Sequence, residues 1–251
     1  MIARGGNRMI VVVGMAFEAR IAAGLGVPVI CGGDGSNLEA SLTHAMAAGC
    51  GGLISFGVAG GLAPGLRPGT CVIGSSILDG DADRPTHTRW AQRLMRMIPG
   101  SVLGSIAGVR EPLALSAEKR SLHEKTGAVA VDMESHVVAR AAAQHGVPLA
   151  AIRVVIDPVE RTIPRSALAG SRPDGTVDPL AVIRSLVRYP RDLAGLIRMS
   201  FDARAARATL VRGSGLLGPG LGLLDVGSLQ PKIVPQIALA LEREFVAPVD
   251  A

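Results

Sequence analysis

Ala128-Val129-Ala130-Val131-Asp132-Met133-Glu134-Ser135 is the stretch from which the fold is read. An apolar run feeds into two carboxylates that flank a methionine, and an alanine-rich helical pattern follows at once, from Ser135 to His145. This predicts a strand ending in acids at the mouth of a helix, where open α/β sheets hold ligands. Carboxylates in that place accept hydrogen bonds from sugar hydroxyls, and the Met133 thioether offers an apolar surface to the sugar. Spacing alone leaves a second reading open, in which Asp132 caps the helix and Glu134 serves its first turn.

The same strand–turn–helix pattern recurs upstream. Met9 to Val13 is a β-branched apolar run suited to a central strand, followed by Gly14-Met15-Ala16-Phe17-Glu18 and a helical pattern through Ala23. Glu18 falls in the first turn after that strand, within reach of a cleft or simply favoured by the helix dipole. Pro28 to Cys31 reads as a second strand, and Gly32 to Asn37 as a tight turn opening a helix from about Leu38 to Ala48. Exposed amides at Gly33, Gly35 and Ser36 suit a phosphate or ribose oxygen. Leu53 to Phe56 reads as a third strand, with Gly57-Val58-Ala59-Gly60-Gly61-Leu62 as its exit loop. Small residues such as Ala59 and Gly60 let a ligand approach the backbone closely.

Downstream, Thr70 to Leu78 reads as a strand, Asp79 to Pro85 as a polar loop and Thr86 to Met97 as a helix. Ser101 to Val109 reads as a strand and Ser116 to Thr126 as a charged helix. The strand from Leu149 to Ile156 ends in Asp157-Pro158, an acid fixed by a proline and a candidate general acid. Capping the turn is the alternative role for Asp157.

Composition narrows the function classes. With 48% apolar residues among 251, the chain can bury a full α/β core, built from Ala, Val, Leu and Ile because only 2% are aromatic. Six aromatics and no nucleic-acid motif argue against nucleic acid as a partner, despite a net charge of +5. Cys31, Cys50 and Cys71 are odd in number and lack CxxC spacing, which fits a reduced cytoplasmic compartment better than disulfides or a metal site. No apolar run reaches the ~18 residues of a membrane span. Met1 to Arg8 reads as a short, basic, ragged leader rather than a signal peptide, with Met9 as the true start. Gly213-Ser214-Gly215-Leu216-Leu217-Gly218 matches GxGxxG in letters, but it runs into Gly-Pro-Gly instead of a helix and is dismissed.

The tail is distinct. Leu180, Ile183, Leu186 and Val187 form one apolar face, Pro190 breaks the helix, and Leu193, Leu196, Ile197 and Phe201 resume it. Ten arginines face four aspartates between Arg161 and Arg212. Two readings follow: the face packs on the domain or a partner subunit, or it lies on an anionic membrane. From Gly213 to Gly227 a mobile glycine-rich stretch is expected, and Pro235 to Phe245 suits a short helix.

Four motifs now stand in order: Gly14-Met15-x-x-Glu18, Gly57-x-Ala59-Gly60-Gly61, Val131-Asp132-Met133-Glu134 and Arg153-x-x-x-Asp157. Their order resembles that of nucleoside phosphorylases and nucleosidases, and more narrowly the methylthioadenosine/S-adenosylhomocysteine nucleosidases. Ala16-Phe17-Glu18-Ala19-Arg20-Ile21-Ala22 and Asp132-Met133-Glu134-Ser135, with the arginine-rich tail, look like the hopanoid-associated phosphorylase family. The resemblance implies that Glu134 holds the ribose hydroxyls, Met133 packs on the sugar, Asp157 protonates the purine N7 and Glu18 orients an attacking water. It also implies a homodimer, no metal or other cofactor, and phosphate as a co-substrate if the reaction is phosphorolytic. Ser55 and Val58 stand where hexameric phosphorylases carry a phosphate-gripping arginine and serine, which weakens that route. Ile156 replaces the nucleosidases' serine, and no adenine-stacking aromatic occurs from Ser116 to Arg120.

The expected architecture is a three-layer α/β/α sandwich with a central mixed sheet over residues 9–175. A basic helical extension over 176–212 and a glycine-rich tail over 213–251 complete it. The expected activity is release of adenine from adenosylhopane, a lipid-linked purine nucleoside, giving ribosyl- or phosphoribosylhopane. A small methylthioadenosine-type substrate and a non-catalytic nucleoside- or lipid-binding role are the alternatives. Retention of both Glu18 and Asp157 argues against the last. A cytoplasmic protein, with peripheral membrane contact through the basic helices, is the expected setting.

Overall fold

The computed structural model describes residues 8–32, 35–170, 172, 176–218 and 221, with 35–37 described by backbone alone. Strand β1 (Met9–Val13) is buried along its whole length, and its alternating side chains feed two different cores. Met9, Val11 and Val13 join one apolar cluster, whereas Ile10 and Val12 join another on the opposite face. Helices α1 (Ala16–Ala23), α3 (Thr88–Met97) and α8 (Asp192–Leu217) contribute to the first cluster. Helices α2 (Gly35–Ala47) and α5 (Ser135–His145) contribute to the second. Helices therefore cover both faces of one sheet, which is the expected three-layer α/β/α arrangement.

The sheet comprises β1, β2 (Val29–Cys31), β3 (Gly52–Gly61), β4 (Cys71–Asp79), β5 (Ala82–Pro85), β6 (Val102–Gly108), β7 (Ala130–Asp132) and β8 (Leu149–Asp157). Its main path runs β2-β1-β3-β7-β6-β4-β5, and β8 pairs with both β3 and β4. Because β3 meets β8 on one side and β7 at its end, strands β3, β8, β4, β6 and β7 close on themselves. The pairing is mixed: β3 is parallel to β1 and β8 but antiparallel to β7.

Several expectations are corrected. Gly57 to Gly61 is the second half of a ten-residue strand, not an exit loop. Gly57 and Gly60 are paired with β8, and Gly60 and Gly61 with β7, so ladder pairing overrides their turn preference. Helix α2 begins at Gly35, so Gly35 and Ser36 belong to its first turn. Ala82 to Pro85, expected as loop, is an edge strand hairpinned to β4, turning through Gly80 at φ 60°. The short α6 (Arg165–Ala169) was not foreseen.

Helix α4 (Ser116–Thr126) has the limits its charge pattern predicts. In the tail, Asp178 accepts hydrogen bonds from the Leu180 and Ala181 amides and starts α7 (Pro179–Arg188). Pro190 separates α7 from α8. Helix α8 continues through Leu217, across the boundary expected at 213, and buries Ala206, Leu210, Gly213 and Leu217. Residues 176–205, by contrast, include no buried residue. The helix expected from Pro235 to Phe245 lies outside the described residues.

Candidate active site

The site is built from the end of β1 and along the neighbouring strands β3 and β8. Helix α1 turns back immediately after β1 and carries Glu18 inward, leaving it 1% exposed. Its Oε2 accepts from the amides of Gly14 (2.9 Å) and Met15 (2.8 Å), and its Oε1 from that of Val58 (2.7 Å). These three N–H groups form a small anion cradle that the chain fills with its own carboxylate. Burial raises the Glu18 pKa, against the opposing pull of Arg153 and the three amides.

Arg153, in the middle of β8, is the hub. It is wholly buried and pairs with Asp132, while its Nη2 stands 3.5 Å from Glu134 Oε2 and 2.6 Å from Ser55 Oγ. It also donates to Ser135 Oγ (3.2 Å from Nη2) and to the Val58 carbonyl (3.3 Å from Nη1). Glu18 lies within its field as well, so one guanidinium serves three carboxylates. The glycines make room for this: a Cβ on Gly57 would collide with Glu18 and stand 2.7 Å from Arg153 Nη1, and one on Gly14 would collide with Glu134. Burial is the largest influence on Glu134, pushing its pKa up to about 7. Asp132 and Glu18 add to the rise, and Arg153 works against it.

Asp132 is turned into the protein. Besides Arg153, it accepts from the Ser135 amide (3.1 Å) and pairs with the Ser135 hydroxyl. It thus takes up the amide of the first residue of α5, although Glu134 and not Asp132 holds the N-cap position, and it also anchors the hub. Glu134 also faces Arg153 and lies against Gly14 and Gly32, whereas Met133 between the two acids is 42% exposed.

Asp157 stands farther along the same ladder. Arg153 pairs in register with Gly57, and Asp157 with Gly60, so the two positions on β8 are separated by roughly 13 Å at 3.3 Å per residue. A Cβ on Gly60 would stand 3.5 Å from Asp157 Oδ1. Asp157 Oδ2 is paired with Lys119 of α4, which is itself wholly buried. The Lys119 ammonium also donates to the carbonyls of Pro158 (3.3 Å) and Arg161 (3.1 Å). Burial raises the Asp157 pKa, and Lys119 opposes that rise.

The structure therefore brings Glu18, Glu134 and Asp132 together around Arg153, and sets Asp157 beside Gly60 on the same ladder. Ala59 is buried in β3 beneath them. Gly33 lies outside the described residues, and Gly35 and Ser36 are described by backbone only. Lys119 and Ser135 were not expected to take part, and Arg153 was quoted as part of a motif without a role. A charge inside the apolar run Leu149–Asp157 was the available signal for Arg153. Lys119 is one of five charged residues in its helix counted with Arg120, Glu118, Glu124 and Lys125, and nothing in their spacing singles it out.

Solved structures with this fold include futalosine hydrolase of Helicobacter pylori, with a TM-score of 0.59 and 16% identity, covering 84% of this chain and 95% of that one. Helicobacter pylori 5′-methylthioadenosine/S-adenosylhomocysteine nucleosidase aligns with a TM-score of 0.59 at 14% identity, over 84% of this chain and 97% of that one. The S. pneumoniae nucleosidase of the same name gives 0.56 and 14%, over 83% and 98%. Comparison with curated protein sequences returns no match. A family model described as the phosphorylase superfamily matches residues 11–169, the span that holds Glu18, Arg153, Asp157 and every strand but part of β1. The chain belongs to the phosphorylase superfamily.

Proposed function

We propose that this protein cleaves the N-glycosidic bond of a purine nucleoside, releasing adenine, with water as the nucleophile. The observation that carries the reading is the division of the site into two charged regions on one β3–β8 ladder. Around Arg153, Glu134 offers a carboxylate to the ribose hydroxyls, and Glu18 offers one to an attacking water. Farther along, Asp157 has a raised pKa, as a group that must hold a proton for the departing base requires. Bond cleavage makes the sugar cationic and the base anionic, so carboxylates at one end and a proton donor at the other suit the transition state.

The choice of water rests on Glu18. The amides of Gly14, Met15 and Val58 are donors of the kind that hold an anion, and the Glu18 carboxylate already occupies them. A phosphate beside Glu18, Glu134 and Asp132 would face three acids with one guanidinium among them. The tentative phosphate contacts at Gly33, Gly35 and Ser36 would have to outweigh that repulsion.

For the substrate, the resemblance to the hopanoid-associated family supports adenosylhopane, and hence ribosylhopane as the product of hydrolysis. A homodimer is the assembly that the nucleosidase resemblance supports. The test is adenine release from adenosylhopane in detergent and from methylthioadenosine, each with and without phosphate. Release from the lipid nucleoside at a rate indifferent to phosphate is expected, with Asp157→Asn slower by about 10³-fold. Release that requires phosphate would overturn the nucleophile, and release from methylthioadenosine alone would overturn the substrate. No release from either would remove the enzymatic reading.

A further inference from the structure

Among the described residues, helix α7 and the first half of α8 form the longest stretch without a fully buried residue. No residue of 176–205 is buried, yet its apolar residues are ordered into stripes. Leu180, Ile183 and Val187 lie on one side of α7, spaced three and four apart, and are 54%, 57% and 80% exposed. Leu193, Ile197 and Phe201 continue on α8 at intervals of four, each about half exposed or more. A solvated helix would place polar residues there, so the stripes imply an occupant.

The charges say which. The segment 176–212 holds three carboxylates, and all three are engaged within the protein. Asp178 caps α7 and pairs with Arg172 (2.8 Å), Asp192 accepts from the Ser166 amide (2.9 Å) and hydroxyl (3.0 Å), and Asp202 pairs with Arg161. Arg184 and Arg188 follow Ile183 and Val187 by one position, which sets them along the edge of the stripe, and Arg198 follows Ile197 in the same way. Among the described residues no carboxylate pairs with Arg184, Arg188, Arg191 or Arg198. Tyr189, held between the guanidiniums of Arg165 (5.3 Å) and Arg188 (5.9 Å), adds an aromatic ring at the corner between the helices.

We propose that this face is a docking surface for an anionic lipid bilayer. Exposed aliphatic and aromatic side chains bordered by unpaired arginines suit the boundary between acyl chains and acidic headgroups. A second copy of the chain fits less well: two-fold pairing would set arginine against arginine with no carboxylate to spare. Neither helix is long and apolar enough to cross a membrane, so the contact is in the plane of the interface. The face is also tied to the site. Arg161, whose carbonyl is held by Lys119 beside Asp157, clasps Asp202, the residue after Phe201.

The test is co-sedimentation of the full-length protein with vesicles of pure phosphatidylcholine, or of phosphatidylcholine with 30% phosphatidylglycerol by design of the assay. Strong binding to the anionic vesicles is expected, weakened at least tenfold by high salt and by the triple variant Ile183→Glu, Val187→Glu, Phe201→Glu. The three residues are exposed, so an unchanged circular dichroism melt verifies that the variant is folded. Absence of vesicle binding would overturn the proposal. So would a wild-type dimer that the triple variant converts to monomer, which would make the face an interface between copies. The measurement needs no nucleoside, so its outcome is separate from that of the proposed catalysis.

Discussion

Lys119 is a wholly buried lysine with three acceptors, and it holds one oxygen of the residue proposed as the acid. Replacing it by methionine removes the main opposition to burial at Asp157, so the carboxyl keeps its proton to higher pH. The alkaline limb of kcat/KM is expected to move upward in Lys119→Met. A uniform loss of rate with an unmoved limb would show that Lys119 only fills space. Stability should follow the same sign. A carboxyl with a raised folded-state pKa contributes most while protonated, and that contribution is lost as pH rises through the raised value. Lys119→Met should therefore lose more Tm at pH 8 than at pH 5. Glu134, raised to about 7, gives a second case. Its contribution is complete below the ordinary glutamate value of 4.5 and is lost through about 7. A series of thermal melts should show wild-type Tm falling over that window, and Glu134→Gln should flatten the fall. An equal slope in both proteins would remove Glu134 as its source.

At the scale of elements, β3 concentrates the demands of the site. Its glycines leave space for Glu18, Arg153 and Asp157 to crowd against the backbone. Gly57→Ala should cost about 1–3 kcal/mol through overpacking. It should also lower turnover by displacing Glu18 and Arg153, as denaturant titration and an adenine-release assay would show. Here the limits of sequence reading are visible. The ends of β1, the positions of the acids Asp132, Glu134 and Asp157 at or just after strands, and the helix limits of α4 and α5 were legible, because apolar periodicity and capping are local. The continuation of β3 through Gly57–Gly61 was not. Glycines ordinarily punctuate a chain, and only the pairing partners β7 and β8, far along the sequence, turn these into strand. The hub was hidden for the same reason: Ser55, Asp132, Glu134 and Glu18 meet at Arg153 only through the fold.

At the scale of the molecule, α8 joins two kinds of surface in one helix. Its second half belongs to the core that includes Val11, Phe56 and Ile152, whereas its first half lies on the exterior. Leu210→Ala should therefore cost about 2–5 kcal/mol, as large-to-small core changes do. Val187→Ala on α7 should stay within about 0.5 kcal/mol. Chemical denaturation of both variants checks the contrast, and equal losses would show that the exposed face carries stability as well.

The closed path of β3, β8, β4, β6 and β7 has a consequence for synthesis. Among the described strands β8 is the last to be synthesised, yet it lies between β3 and β4, which are made long before it. Until Leu149 to Asp157 emerges, the nascent chain carries two unpaired strand margins and an interior open to solvent. Such margins invite pairing with other chains. Closure depends on contacts distant in sequence and should be slow. The strand that ends this vulnerable interval is the one that brings Arg153 and Asp157, so a chain that stalls before it has neither a sealed sheet nor the residues on which the proposed catalysis rests.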